Sequence, residues 1–248
     1  MINLRGFLIA LTFLTRLPLP SPKVEVTSEE FTRSYRYYPL VGLVLGLILW
    51  LLAKAMIPYF PPIVMGALVL VAELILTGGL HLDGFMDSMD GLLSARSPER
   101  ILEIMKDSRI GAHACMALVG LLLLKFALLA SLTSTQIGIL LVMPMLSRWV
   151  FQIGVIGFPY ARPQGLGKGI HETTHWIPFL FTGALVLGAS FYLAGVAGLI
   201  AFGVCVITVT LWASKISSLL GGLTGDLYGA MIELSEVVCL LAAFPFIR

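Results

Sequence analysis

Residues 63–91 read IVMGALVLVAELILTGGLHLDGFMDSMDG. An apolar run holding a single acid, Glu73, gives way to two glycines and then to Asp83, Asp87 and Asp90. The run is long enough to cross a bilayer, for which about 20 residues are needed, and a span is expected over 63–80. The aspartates stand at i, i+4 and i+7, which on an α-helix keeps them within an arc of about 60°. One face then carries three negative charges with little to neutralise them locally, and charges that close repel. A divalent cation resolves the conflict. All-oxygen ligation favours Mg²⁺, with Mn²⁺ second, and such an ion commonly meets substrate phosphates. A solvated acidic helix start is the plainer alternative, since Asp suits a helix N-terminus, but three aspartates at a membrane edge exceed what a cap requires.

Working outward, the 248 residues are 58% hydrophobic and only 12% charged, which excludes an ordinary soluble domain. An all-α, polytopic membrane helical bundle is expected, as one integrated unit over 1–248. The net charge of +2 is too small to suggest nucleic acid. Cys115, Cys205 and Cys239 lie in apolar runs without metal-like spacing and read as small buried hydrophobes. The apolar stretch 7–14 leads into Thr-Arg-Leu-Pro, not into a small-residue cleavage site.

About seven spans are expected, over 38–57, 63–80, 112–132, 136–158, 177–194, 196–216 and 229–247. Residues 1–20 are too short for a span and read as an interfacial or re-entrant helix. Ser97-Pro98 starts an amphipathic helix with Ile101, Ile104 and Met105 on its apolar face. Arg5, Arg16, Lys23, Arg33, Arg36, Arg96, Arg100, Lys106, Arg109, Arg162, Lys168 and Lys215 fall in or beside one alternate set of connections. The other set, at 58–62, 133–135 and near 195, has no Lys or Arg. The basic side is expected to face the cytoplasm, with the N-terminus and the aspartates inside a bacterial or archaeal cytoplasmic membrane.

GGLHLD at 78–83 and GGLTGD at 221–226 share the pattern G-G-L-x-x-D, each after a span leading to that side. Gly78, Gly79, Gly221 and Gly222 would let backbone amides approach an anion, with Thr224 beside them, or would simply form a turn. Asp226 is then a candidate to close the same cation site as Asp83. Glu73 and Glu233, inside spans, should face the bundle interior, and Glu73 is a candidate ligand or partner of a buried cation. Lys125 reads as structural, and Arg148 receives no role. His81 is a candidate base or phosphate ligand. Lys106, Arg109, Arg162 and Lys168 are candidate phosphate clamps or plain topology determinants.

His171-Glu172-Thr173-Thr174-His175 fits the zinc-protease pattern H-E-x-x-H. It sits in a polar loop and leaves Asp87, Asp90 and Asp226 unexplained, so a polar cap on the next helix is the preferred reading.

GGLHLDGxxDxxDG at 78–91, MKDSRIGA at 105–112 and GGLTGD at 221–226 resemble the cobalamin synthase family. FLTRLPLP at 13–20, YPLVGLVLG at 38–46 and ARPQGLG at 161–167 fit the same resemblance, end to end and in order. HETTH, and Leu227-Tyr228 after Asp226, depart from the pattern. The resemblance implies a Mg²⁺-dependent transferase late in cobalamin (vitamin B12) biosynthesis. Adenosylcobinamide-GDP and α-ribazole 5′-phosphate (or α-ribazole) would give adenosylcobalamin 5′-phosphate (or adenosylcobalamin) and GMP, with Asp83, Asp87 and Asp90 holding the metal. Glu73 and Asp226 would assist, at the surface of a lipid bilayer; a homo-oligomer is left open.

Three other classes share part of this pattern. CDP-alcohol phosphotransferases want Ala-Arg after the first Asp-Gly, whereas Asp83-Gly84 is followed by Phe85-Met86. Prenyltransferases want a second D-x-x-x-D, which the surroundings of Asp226 lack. A cation transporter would need acids at both faces of the membrane.

Overall fold

The computed structural model describes residues 3–18 and 25–246. Lys23, the Leu19-Pro20 end of FLTRLPLP and Ile247 lie outside them. The described residues form helices, with one isolated backbone bridge between Tyr160 and Leu223. In order they are α1 (Leu4–Leu14), α2 (Ser28–Arg33), α3 (Tyr38–Met56), α4 (Pro62–Thr77), α5 (Leu80–Leu92), α6 (Pro98–Ile104), α7 (Ala112–Ala130), α8 (Ile139–Gly157), α9 (Leu166–Thr173), α10 (Trp176–Leu220) and α11 (Gly225–Ala243).

Five helical segments are long and apolar enough to cross a membrane, or six if the bent pair α4–α5 is one crossing. One of the five, the 45-residue α10, cannot be straight. Phe179 and Phe202 both stack on Trp149 at 5.0 Å, yet residues that far apart on a straight helix stand about 35 Å from each other. The chain doubles back at Gly195, whose φ of 58° and ψ of −140° are non-helical, and Gly198 then packs on the Ser190 carbonyl. With α10 counted as two arms and α4–α5 as one crossing, the described residues make seven crossings, in line with the about seven expected. This is an integral membrane protein, and large apolar side chains such as Leu51, Ile75, Leu123, Phe181 and Leu211 project from the outside of the bundle. The 11-residue α1 is too short to cross. The amphipathic α6 starts as expected at Ser97 and Pro98 and buries Ile101 and Met105.

α8 is the central helix, buried along most of its length. α3 runs antiparallel to it, with Gly42 against Pro144 and Gly46 against Leu140 and Leu141. Small residues let membrane helices approach this closely, and dispersion between the backbones then holds them. A Cβ on Gly46 would lie 2.6 Å from the Leu140 carbonyl oxygen and 2.9 Å from the Leu141 Cα. Gly46→Ala should therefore destabilise by about 1–3 kcal/mol, read as a lowered midpoint in detergent thermal unfolding.

The site is positioned by the break between α4 and α5. Gly78 (φ 63°) and Gly79 (φ 70°) are consecutive left-handed residues, a conformation only glycine adopts without cost. The chain turns through 92° there, so α5 leaves the crossing direction and lies across the first turns of α7 and α11. Gly84 makes the crossing close: a Cβ there would sit 2.9 Å from the Asp226 carbonyl oxygen. α5 buries His81, Gly84, Phe85, Ser88 and Gly91, which leaves the aspartates on its adjoining face.

Candidate active site

That face lines a cavity of about 290 Å³ with Asp83, Asp87, Asp90, Lys106, Ser108 and Arg109 among its walls. Asp83 is exposed, while Asp87 and Asp90 are half-buried. Neither Asp83 nor Asp87 has an ion-pair partner among the described residues. Burial pushes the Asp87 carboxyl up to about 6, and repulsion from Asp83, Asp226 and Asp90 adds to the shift against attraction from Arg162. Asp90 has a second task. Its carboxylate occupies the space beside Gly111 and accepts from the Ala114 N–H at 3.4 Å, so it caps α7 from a neighbouring helix. Arg109 reaches the cavity while paired with Asp107 at 2.5 Å.

A second cavity, of about 350 Å³, also borders Asp83. Its lining includes His81, Asp83, Arg162, Gln164 and Asp226 together with Tyr38, Phe151, Tyr160 and Tyr228. Arg162 pairs with Asp226 at 2.8 Å. Asp83 is shared by the two cavities.

Beneath them runs a network of buried charge. Lys125 on α7 pairs with Glu73 (3.0 Å), Glu233 (3.3 Å) and Glu236. Glu236 also accepts from Arg148 and from the Ser147 hydroxyl. Arg148 Nη2 stands 3.5 Å from His81 Nδ1. A guanidinium only donates, so Nδ1 accepts and the proton of a neutral ring sits on Nε2. In that tautomer His81, which lines the second cavity, donates from Nε2, as the phosphate-ligand reading of this residue requires.

The chemistry of the donor set suits a hard divalent ion: carboxylates free of ion pairs, on one face, beside Lys106 and Arg109. Among the described residues no three metal-ligating side chains converge closely enough to clasp an ion alone. Mg²⁺ does not need such a cage, because it keeps several waters and completes its shell with substrate phosphates.

The family model for cobalamin-5-phosphate synthase matches residues 6–244. This chain belongs to the cobalamin-5-phosphate synthase family. It is 56% identical to the adenosylcobinamide-GDP ribazoletransferase of Desulfitobacterium hafniense (strain Y51), covering 99% of this chain and 98% of that one. It is 38% identical to the enzyme of the same name from Brevibacillus brevis, over 96% and 97% of the two chains. The corresponding Pseudomonas aeruginosa (strain UCBPP-PA14) protein is 40% identical over 96% and 97%. No solved structure matches.

In this member of the cobalamin-5-phosphate synthase family, several candidates stand elsewhere than the sequence suggested. Glu73 is buried against Lys125 and lines neither cavity, because pairing a buried charge outweighs exposure to the rim. Gly78, Gly79, Gly221 and Gly222 form left-handed or extended turns and line neither cavity. The Arg16 side chain covers Gly78, and Gly222 packs on the Pro159 carbonyl. Thr224 is fully buried and caps α11, its hydroxyl accepting from the Leu227 N–H. Lys168 donates to the Pro163 carbonyl and approaches Glu172, away from the aspartates. Asp226 reaches the second cavity but is neutralised by Arg162. The zinc-protease pattern does not form a site. α9 ends at Thr173, Thr174 is extended, and His175 follows the break, so His171 and His175 do not share a helical turn. His171 instead donates through Nδ1 to the Val155 carbonyl at 2.5 Å.

The aromatic walls of the second cavity, Tyr38, Phe151 and Tyr160, went unread in the sequence. Tyr228 registered only as a departure from the family pattern. Each lies inside an apolar or Pro/Gly-rich stretch, where an aromatic residue carries no periodic signal of a site.

Proposed function

We infer that this protein is an adenosylcobinamide-GDP ribazoletransferase, joining adenosylcobinamide-GDP to α-ribazole 5′-phosphate and releasing GMP. The observation that carries the reading is the sharing of Asp83 between a cationic, carboxylate-lined cavity and an aromatic one, in a chain that matches this family from end to end. In the reaction a ribose hydroxyl oxygen bonds to the cobinamide-side phosphorus, and the bridging P–O bond breaks. GMP leaves with that electron pair on its phosphate oxygen, and the hydroxyl proton passes to a carboxylate. Lys106 and Arg109 hold phosphate oxygens, and His81 donates from Nε2. Asp83 and Asp87, with Asp90 beside them, would hold Mg²⁺, which would supply charge neutralisation at the diphosphate and the leaving group. The basic side faces the cytoplasm, in a bacterial or archaeal cytoplasmic membrane.

The test is GMP release by the purified protein in proteoliposomes supplied with both substrates. Release should stop on chelation and return with Mg²⁺, while no cation flux accompanies it. Cation flux without GMP would make the protein a transporter instead.

The Asp87 shift sets a pH dependence. A carboxyl raised from 3.8 to about 6 lends stability to the metal-free fold below its unfolded value, and that stability is lost as pH rises through about 6. A cation binds the ionised form and offsets the loss. Mg²⁺ should therefore raise the unfolding midpoint more at pH 7.5 than at pH 5, and Asp87→Asn should flatten that difference.

A further inference from the structure

The two cavities differ in a way that assigns the two substrates. The cavity over Lys106 and Arg109 is walled by charge. The other offers mainly rings and apolar side chains, with His81, Asp83, Arg162, Gln164 and Asp226 as its polar ones besides the tyrosines. Tyr38 and Phe151 stack at 5.5 Å to form one wall. Tyr160 and Tyr228, with centroids 6.3 Å apart and planes tilted by 39°, form another. The loop after Tyr160 folds over these rings only because it carries glycine. A Cβ on Gly167 would lie 2.7 Å from Tyr160 and 3.1 Å from Tyr228. Tyr228 is 5% exposed, and its hydroxyl has no hydrogen-bond partner among the described residues. A buried hydroxyl left unpaired is a cost that a ligand acceptor atom would remove.

Resting on the transferase reading above, we propose that the cavity walled by Tyr38, Phe151, Tyr160 and Tyr228 binds the flat base of the α-ribazole acceptor. The nucleotide donor's diphosphate then lies in the Asp83–Asp87–Lys106–Arg109 cavity. Both substrates contain a flat heterocycle, so the choice between them needs a reason. A dimethylbenzimidazole ring has no amide edge and stacks at little cost between aromatic faces. Guanine in the same place would need acceptors for its N1–H and amino group, whereas Asp226 is already paired with Arg162 and Asp83 belongs to the reacting end shared with the other cavity. The half-buried Tyr160 is the ring available for stacking, since Phe151 already packs on Tyr38. With the base there, its ribose points to the end of the cavity that Asp83 shares with the diphosphate side. The attacking oxygen and the phosphorus thus meet beside Asp83, the residue common to the two cavities.

Two measurements test the assignment. In steady-state GMP release with both substrates varied, Tyr160→Leu should raise KM for α-ribazole 5′-phosphate about fivefold or more, with KM for adenosylcobinamide-GDP unchanged. Tyr160→Phe, which keeps the ring, should restore it. A rise confined to the donor's KM would overturn the proposal. The second measurement needs no loss-of-ring variant. In a Cys115→Ser background, a single cysteine is placed at Gln164 (Gln164→Cys) in the aromatic cavity or at Ser108 (Ser108→Cys) in the charged one. The rate of maleimide labelling is then followed with α-ribazole 5′-phosphate or with Mg²⁺ and GDP. α-Ribazole 5′-phosphate should slow labelling at 164 and not at 108, and GDP the reverse. The opposite pattern, or no protection at 164 by the acceptor, would overturn the proposal. Absence of GMP release by the unmodified protein would instead sink the transferase reading, so the two failures are distinguishable.

Discussion

Asp83→Ala and Asp87→Ala should each lower GMP release by about a hundredfold or more, the scale expected when a group aimed at developing charge is removed. Both side chains line the charged cavity without an ion-pair partner among the described residues, so nothing structural depends on their negative charge. The metal-free fold should in fact gain from the loss of Asp87, since its ionised form is opposed by burial and by Asp83, Asp226 and Asp90. The expected result is therefore paired: turnover collapses while the unfolding midpoint without metal holds or rises, and Mg²⁺ no longer raises it. A misfolded variant would lower both. Near-normal turnover in both variants would remove the metal-assisted mechanism. Asp90→Ala should differ in kind, because Asp90 also caps α7 through the Ala114 N–H. Its loss should lower stability as well as rate, by about 1 kcal/mol for the cap.

The second large effect lies in the buried network. Lys125→Met leaves Glu73 and Glu233 without their cation and Glu236 with Arg148 alone. Removing one partner from a buried ion pair costs about 3–5 kcal/mol, because the remaining charge is stranded. Little folded protein should then be recovered from membranes, as size-exclusion profiles in detergent would register. The triple change Lys125→Met, Glu73→Gln and Glu233→Gln removes both signs of charge and retains the Arg148–Glu236 pair. It should recover most of the loss, the non-additivity expected of groups that share one network. If Lys125→Met alone were as stable as the parent, the network would contribute nothing to folding. Arg148→Met should act differently, since Arg148 also faces His81. Freed of that neighbour, the imidazole no longer has its tautomer set, and turnover should fall even where the fold survives.

The crossings were legible because hydropathy is a local property, and a run of apolar residues must bury or meet lipid whatever surrounds it. The aspartate face was legible because helical spacing converts positions 83, 87 and 90 into one side of a cylinder. The break at Gly78-Gly79 was legible as a turn, though its anion-binding alternative was equally open until the φ values were known. What the linear order could not show is which distant groups meet. Glu73 was a metal candidate by its place before Asp83, yet Lys125 claims it. Arg162 and Asp226 were read as a phosphate clamp and a metal ligand, yet they pair with each other. Lys168 and Thr224 carried suitable chemistry and serve the loop and a helix cap.

By itself, then, the amino-acid sequence determined a lipid-embedded helical bundle with its acids gathered at one rim and three of them on one helical face. Only the tertiary structure decided that α5 lies across α7 and α11, that two cavities border Asp83, and which buried charges are neutralised. The reason is range: hydropathy and helical period act over a few residues, whereas ion pairing and cavity walls depend on side chains from helices far apart in the chain.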